Sequence, residues 1–161
     1  MMKVDKNHHA RVKERTPPVT SDPVSDVLSE VFFGHGGTML SSVMNKNVAT
    51  MDHTRTAHEA ATLMTEKRIG CMIITAYGKP FGIVTEKDLV RVTANLDISP
   101  KCLLLSFLAS RPLISASPTQ TIQEAVEIME KNYINHLPIV EKNKIVGIVT
   151  TRDLAMSLLY T

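Results

Sequence analysis

The sequence predicts a mixed α/β (α+β) fold made of two copies of one β-α-β-β-α unit, packed together about a pseudo-two-fold axis. Three observations predict it. The phrase GIVTEKDLV at residues 82–90 returns as GIVTTRDLA at residues 147–155. Sliding the chain by that offset of 65 aligns residues 43–89 with 108–154 without a gap, and fourteen of the 47 positions are identical. Unrelated segments would share roughly three at average residue usage. Each copy also alternates an apolar helical period with short β-rich runs bounded by turn residues. A unit of this size leaves one sheet face open, and packing on its twin covers it. A chain built this way does at two related places whatever one copy does.

The chain divides into an N-terminal tail with a short helix (1–37), a first repeat (38–98) and a second repeat (99–161). Residues 1–23 mix charge with Pro17, Pro18 and Pro23, as solvated tails do. After them, Val27, Leu28, Val31 and Phe32 recur at helical spacing until Gly34, Gly36 and Gly37 stop the pattern. The first repeat reads as a strand over 48–51, a helix over 56–67, strands over 71–75 and 81–84, and a helix from Glu86. The second opens with PLISASP, a short extended segment closed by a proline. Ile122, Val126 and Met129 then mark a helix whose start carries the capping-box pair Thr121 and Glu124. HLPIVEKNKIVGIVT reads as two strands around a polar turn over 141–144, and TRDLAMSLL opens the last helix.

Composition narrows the function. The 161 residues are 43% hydrophobic and 21% charged, enough apolar material for a core. A formal net charge of +2 with a sequence pI near 8.6 is too mild for a phosphate-tracking surface, so no nucleic acid is expected. Cys71 and Cys102 stand in apolar settings that fit buried reduced thiols, which points to a cytoplasmic protein. The N-terminal residues lack the apolar run of a secretory signal, and CLLLSFLA, from Cys102, is too short to cross a bilayer. No metal site is expected: His53 and His58 lack the i, i+4 spacing of a zinc helix, and His8 and His9 fit a solvated tail. Cys71 lacks the base and the electropositive setting of a catalytic thiolate. Met64 and Met129 sit on the apolar faces of matched helices, so core packing is the expected role of the methionines.

The repeated phrase itself admits two readings. A threonine followed three residues later by an aspartate is a capping box, which would only close the helix start. The same geometry presents free backbone amides and a hydroxyl to a phosphate, with Lys87 or Arg152 adding charge. A carboxylate would repel phosphate, so Asp88 and Asp153 fit better as acceptors for paired hydroxyls such as those of a ribose. A nucleoside phosphate offers both groups, and no nucleophile with an adjacent base accompanies either phrase.

Two β-α-β-β-α copies, each with MIIT or LPIV followed by GIVT and an aspartate, resemble a tandem pair of cystathionine-β-synthase-type (CBS) domains over residues 38–161. The resemblance implies two interlocked repeats, often paired again into a homodimer, and regulatory binding of an adenosine-containing small molecule: AMP, ADP, ATP or S-adenosylmethionine. It implies no required cofactor and no catalysis. Carried over position by position, Asp88 and Asp153 match the ribose-holding site, Thr85 and Thr150 the hydroxyl beside it, and Lys87 and Arg152 the cations near phosphate. Thr50 and Ser115, just after the first strand of each repeat, resemble the edge that meets adenine. Ile69, Gly70, Cys71 and Met72, with Ile134, Asn135, His136, Leu137 and Pro138, match the segments that flank the base. The copies differ where Asn135 and His136 replace Gly70 and Cys71, and where Pro138 replaces Ile73, so unequal clefts are expected. His136 reads either as a phosphate partner or as a satisfied half-buried histidine. The alternative function is a ligand-free interaction or dimerisation module. Since the sequence stops at Thr161 without a catalytic domain, an unknown protein partner acting in trans is expected in either case.

Overall fold

The computed structural model describes residues 37–95 and 98–159. The expected tail and short helix over 1–36 lie outside the described residues. A single turn α1 (Leu40–Val43) leads to the first repeat: β1 (Thr50–Asp52), α2 (Ala57–Lys67), β2 (Cys71–Ala76), β3 (Lys79–Thr85) and α3 (Glu86–Asn95). A second turn α4 (Leu105–Leu108) leads to α5 (Ile122–Asn132), β4 (His136–Glu141), β5 (Lys144–Thr150) and α6 (Thr151–Leu159). Strand β1 pairs parallel with β2, β2 pairs antiparallel with β3, and β4 with β5, giving one three-stranded and one two-stranded sheet.

Local chemistry explains these elements. Thr56 and Thr121 each accept the N3 amide of the following helix, while Glu59 and Glu124 accept the cap amide in return, so both capping boxes close. These bonds hold both glutamates below the ordinary carboxylate value. Both helices end at a left-handed residue, Arg68 with φ 54° and Tyr133 with φ 55°. The two hairpins turn through Tyr77 and Gly78, and through Lys142 and Asn143, all at positive φ, as two-residue turns that match strand twist require.

The first strand of the second repeat is where sequence and structure part. Only an isolated bridge between Ala116 and Ile139 stands where β1 has its counterpart. In the first repeat the Ile73 amide donates to Ala49 O (3.0 Å) and the His53 amide to Thr75 O (2.8 Å). Their counterparts 65 residues on are Pro138 and Pro118, which have no N–H to donate. The remaining ladder bonds, Ala116 N–H to Pro138 O and Val140 N–H to Ala116 O, support no more than a bridge.

The repeats interlock through their lead-in turns. Leu40, ahead of the first repeat, is fully buried in the core of the second with Ile122, Leu137, Ile139 and Leu154. Leu105, ahead of the second repeat, is fully buried in the core of the first with Met64, Met72 and Val84. These leucines are themselves 65 residues apart. Backbone bonds secure each crossing: Asn45 exchanges two with Ile148, and Ser110 exchanges two with Ile83. The crossing explains the glycine of each GIVT phrase. A Cβ on Gly82 would lie 2.7 Å from Ser110 O, and one on Gly147 would lie 2.5 Å from Met44 Sδ.

Candidate functional site

The crossing of residues 45–49 over β5 builds a cleft of about 190 Å³. One wall is Asn45, Asn47, Val48 and Ala49, on the approach to β1. A second is the run from Ile69 to Ile73 that enters β2. The third belongs to the second repeat, with His136 at the start of β4, Ile148 and Thr150 on β5, and Asp153 in the first turn of α6. The cleft thus draws its Thr and Asp from one repeat and its apolar walls chiefly from the other.

The Thr and Asp form a closed cap. The Thr150 amide and Oγ1 donate to Asp153 Oδ2 at 2.8 and 2.7 Å, and the Asp153 amide donates to Thr150 Oγ1 at 3.2 Å. Among the described residues no hydrogen bond reaches Asp153 Oδ1. The first repeat starts the same way, with the Thr85 amide and Oγ1 both 2.9 Å from Asp88 Oδ2. It then differs: Arg91 Nη2 takes Asp88 Oδ1 at 2.6 Å, and Asp88 is buried. The residue matching Arg91 is Met156, which leaves the second carboxylate of the pair open. The threonine-to-carboxylate half of the cap therefore forms in both repeats, the reciprocal amide bond, among the described residues, in the second alone, and of the two carboxylates Asp153 retains an acceptor.

His136 sits between the repeats. A Cβ on Gly70 would lie 3.5 Å from its Nε2 and 3.8 Å from Glu86 Oε2. Burial holds the imidazole below its ordinary value; Glu86 and Asp153 pull it back up, and Lys87 pushes it further down. Neighbouring Cys71 is half-buried, and burial, reinforced by Glu86, pushes its thiol up to about 12. It is a protonated wall residue. Cys102, expected to be buried, is exposed instead, because it lies in the link between the repeats beside Leu103 rather than in either core.

Of the residues the sequence singled out, Ile69, Gly70, Cys71, Met72, His136, Thr150 and Asp153 come together in the cleft. The others do not line it. Leu137 and Pro138 are fully buried in the second repeat, and Ile134 packs against its core. Asn135 is exposed, and its carbonyl accepts the Thr151 amide as that of Gly70 accepts the Glu86 amide. Thr85 and Asp88 close on each other, while Lys87 and Arg152 are exposed. Thr50, the first residue of β1, and Ser115, next to the isolated bridge at Ala116, are exposed. The strand begins at Thr50 rather than Val48, so the edge facing the cleft lies ahead of it. Asn45, Asn47, Val48, Ala49, Ile73 and Ile148 were not among the expected site residues, because the Asn45–Ile148 contact joins the two repeats across more than a hundred residues.

Among the described residues no group of three or more His, Cys, Asp or Glu side chains could hold a metal ion. No helix among them is long and apolar enough to cross a membrane.

Comparison with known proteins agrees with this architecture. The family model for the CBS domain matches residues 40–95 and 106–160. The CBS domain-containing protein YhcV of Bacillus subtilis is 32% identical over 119 residues, which are 73% of this chain and 84% of that protein. A protein with CBS domains from Burkholderia ambifaria superposes with a TM-score of 0.72 at 23% identity, over 76% of this chain and 95% of that one. The CBS domain protein PAE2072 of Pyrobaculum aerophilum, solved in complex with AMP, superposes with a TM-score of 0.67 at 24% identity, over 76% of this chain and 99% of that one.

Proposed function

This chain belongs to the CBS domain family, and from that premise we propose that it is a regulatory module that binds one adenosine compound in the cleft ending at Asp153. The observation that carries the reading is the asymmetry of the two aspartates: Asp153 Oδ1 is open at a formed cleft, while Asp88 Oδ1 is held by Arg91. Asp153 accepts the paired ribose hydroxyls. The base lies between the apolar residues Val48 and Ala49 on one side and Ile69 and Met72 on the other, and the Asn45 and Asn47 amides reach its polar edge. An aromatic ring slotted between aliphatic walls with a few convergent polar groups is the common form of such sites. The AMP held by the Pyrobaculum protein supports the choice of an adenine nucleoside.

The contacts are non-covalent, so binding acts by shifting populations. The cleft is built from both repeats, and a ligand that bridges them favours the arrangement in which they are clamped. The clamped form would be read by a protein partner in trans, or through pairing of two copies of the chain. Isothermal titration of the purified chain with AMP, ATP, S-adenosylmethionine and adenosine, with GTP as control, tests the reading. Saturable binding of an adenosine compound at one per chain, without GTP binding, is the expected result. Silence from every adenosine compound would leave dimerisation or docking as the whole function.

A further inference from the structure

The cleft has a charge as well as a shape. Among the described residues that line it, Asp153 is the one acid, and none is a lysine or an arginine. The polar remainder is Asn45, Asn47, Thr150 and His136. The two cations that follow the GIVT phrases, Lys87 and Arg152, are exposed and outside the lining. Around His136 the charged groups are Glu86 and Lys87 from the start of α3 and Asp153 from α6, two negative against one positive. The Cys71 thiol on β2 is protonated and adds nothing. The imidazole itself is held toward its neutral form by burial. Among the described residues that line the cleft, none is therefore a Lys or Arg that could balance a phosphate, and the Asp153 carboxylate is part of the lining.

We propose that the cleft selects by charge, taking a nucleoside whose 5′ substituent is neutral or cationic, such as adenosine or its sulfonium derivative, in preference to nucleoside phosphates. This rests on the nucleoside reading of the same cleft and narrows it. A nucleotide brings two or more negative charges into a partly desolvated site, where like-charge repulsion is weakly screened and no Lys or Arg fork offsets it. S-adenosylmethionine carries a sulfonium and an ammonium against one carboxylate, so its net charge is opposite in sign to that of Asp153. Discrimination of this kind is built as much from what repels the wrong ligand as from what attracts the right one.

The test is titration with adenosine, S-adenosylmethionine, AMP and ATP at pH 7.5, for the wild-type chain and for Asn47→Lys. Asn47 is exposed at the cleft wall, and only its backbone amide is engaged, with Asn45 Oδ1, so a lysine there adds a cation without touching the core. Adenosine and S-adenosylmethionine binding at least about tenfold tighter than AMP, with ATP weakest, is expected. Asn47→Lys should then raise the affinity for AMP relative to that for adenosine about tenfold. AMP or ATP binding more tightly than adenosine to the wild type would overturn the charge selection while leaving the nucleoside reading intact. Failure of all four to bind overturns the nucleoside reading and the selection with it.

Discussion

The two repeats share a phrase, a threonine–aspartate bond at the helix start and a plugging leucine, yet their helix starts are built unequally. Around Thr150 and Asp153 the capped helix start opens into a cleft; around Thr85 and Asp88 the same start is closed by Arg91 and buried. The difference between an open and a closed carboxylate is one side chain, Arg91 against Met156, one turn further along matched helices. What a duplicated motif does is thus set less by the motif than by the residue three positions beyond it.

The largest effects should come from the elements the repeats share. Leu40→Ala and Leu105→Ala each empty a fully buried position in the opposite repeat's core, and each is expected to cost about 2–5 kcal/mol in urea unfolding. A near-zero loss at Leu40 alone would break the symmetry of the crossing. Next comes the glycine pair. Gly82→Ala drives a Cβ against the Ser110 carbonyl, part of a backbone that cannot swing aside, and should cost about 1–3 kcal/mol. Gly147→Ala meets the Met44 side chain, which can rotate, and should cost visibly less in the same assay.

Function separates the aspartates. Asp153→Ala should weaken nucleoside binding by about 1–3 kcal/mol in calorimetry, the cost of leaving hydroxyl partners unpaired, and lower stability by about 1 kcal/mol through the lost cap. Asp88→Ala should leave affinity unchanged and appear in stability alone, since its carboxylate serves Thr85 and Arg91. The smallest effect concerns His136. Its folded-state value lies below the ordinary 6.5, so the folded chain binds fewer protons than the unfolded one. The stability that reflects this is present above pH 6.5 and is lost as pH falls below it. Partial exposure screens the effect, and it should show as a shallow decline in midpoint below pH 6.5 that His136→Gln flattens.

Much of this was legible in the sequence because it is local. The capping boxes at Thr56 and Thr121, the hairpin turns and the helix periods are fixed by residues a few positions apart, and the offset of 65 exposed the repeat without any structure. The inequality of the repeats was visible at Pro138, although its full consequence needed Pro118 as well: together they remove the two amides that would make a strand. The wall of the cleft ahead of β1 was not legible, although Ile69 to Met72, His136, Thr150 and Asp153 were. Asn45 and Asn47 share a cleft with Ile148 and Asp153 only because the lead-in to one repeat crosses the sheet of the other, and no spacing rule reports a crossing of more than a hundred residues. Cys102 misled for the opposite reason, since its apolar neighbours in sequence turn their side chains inward while its own remains outside.

The most direct measurement is calorimetric titration of adenosine into the wild type, Asp88→Ala and Asp153→Ala side by side. One site per chain, retained at full affinity in Asp88→Ala and weakened at least tenfold in Asp153→Ala, is the result expected from an open and a closed cleft. Equal weakening by both substitutions, or two equivalent sites per chain, would contradict it.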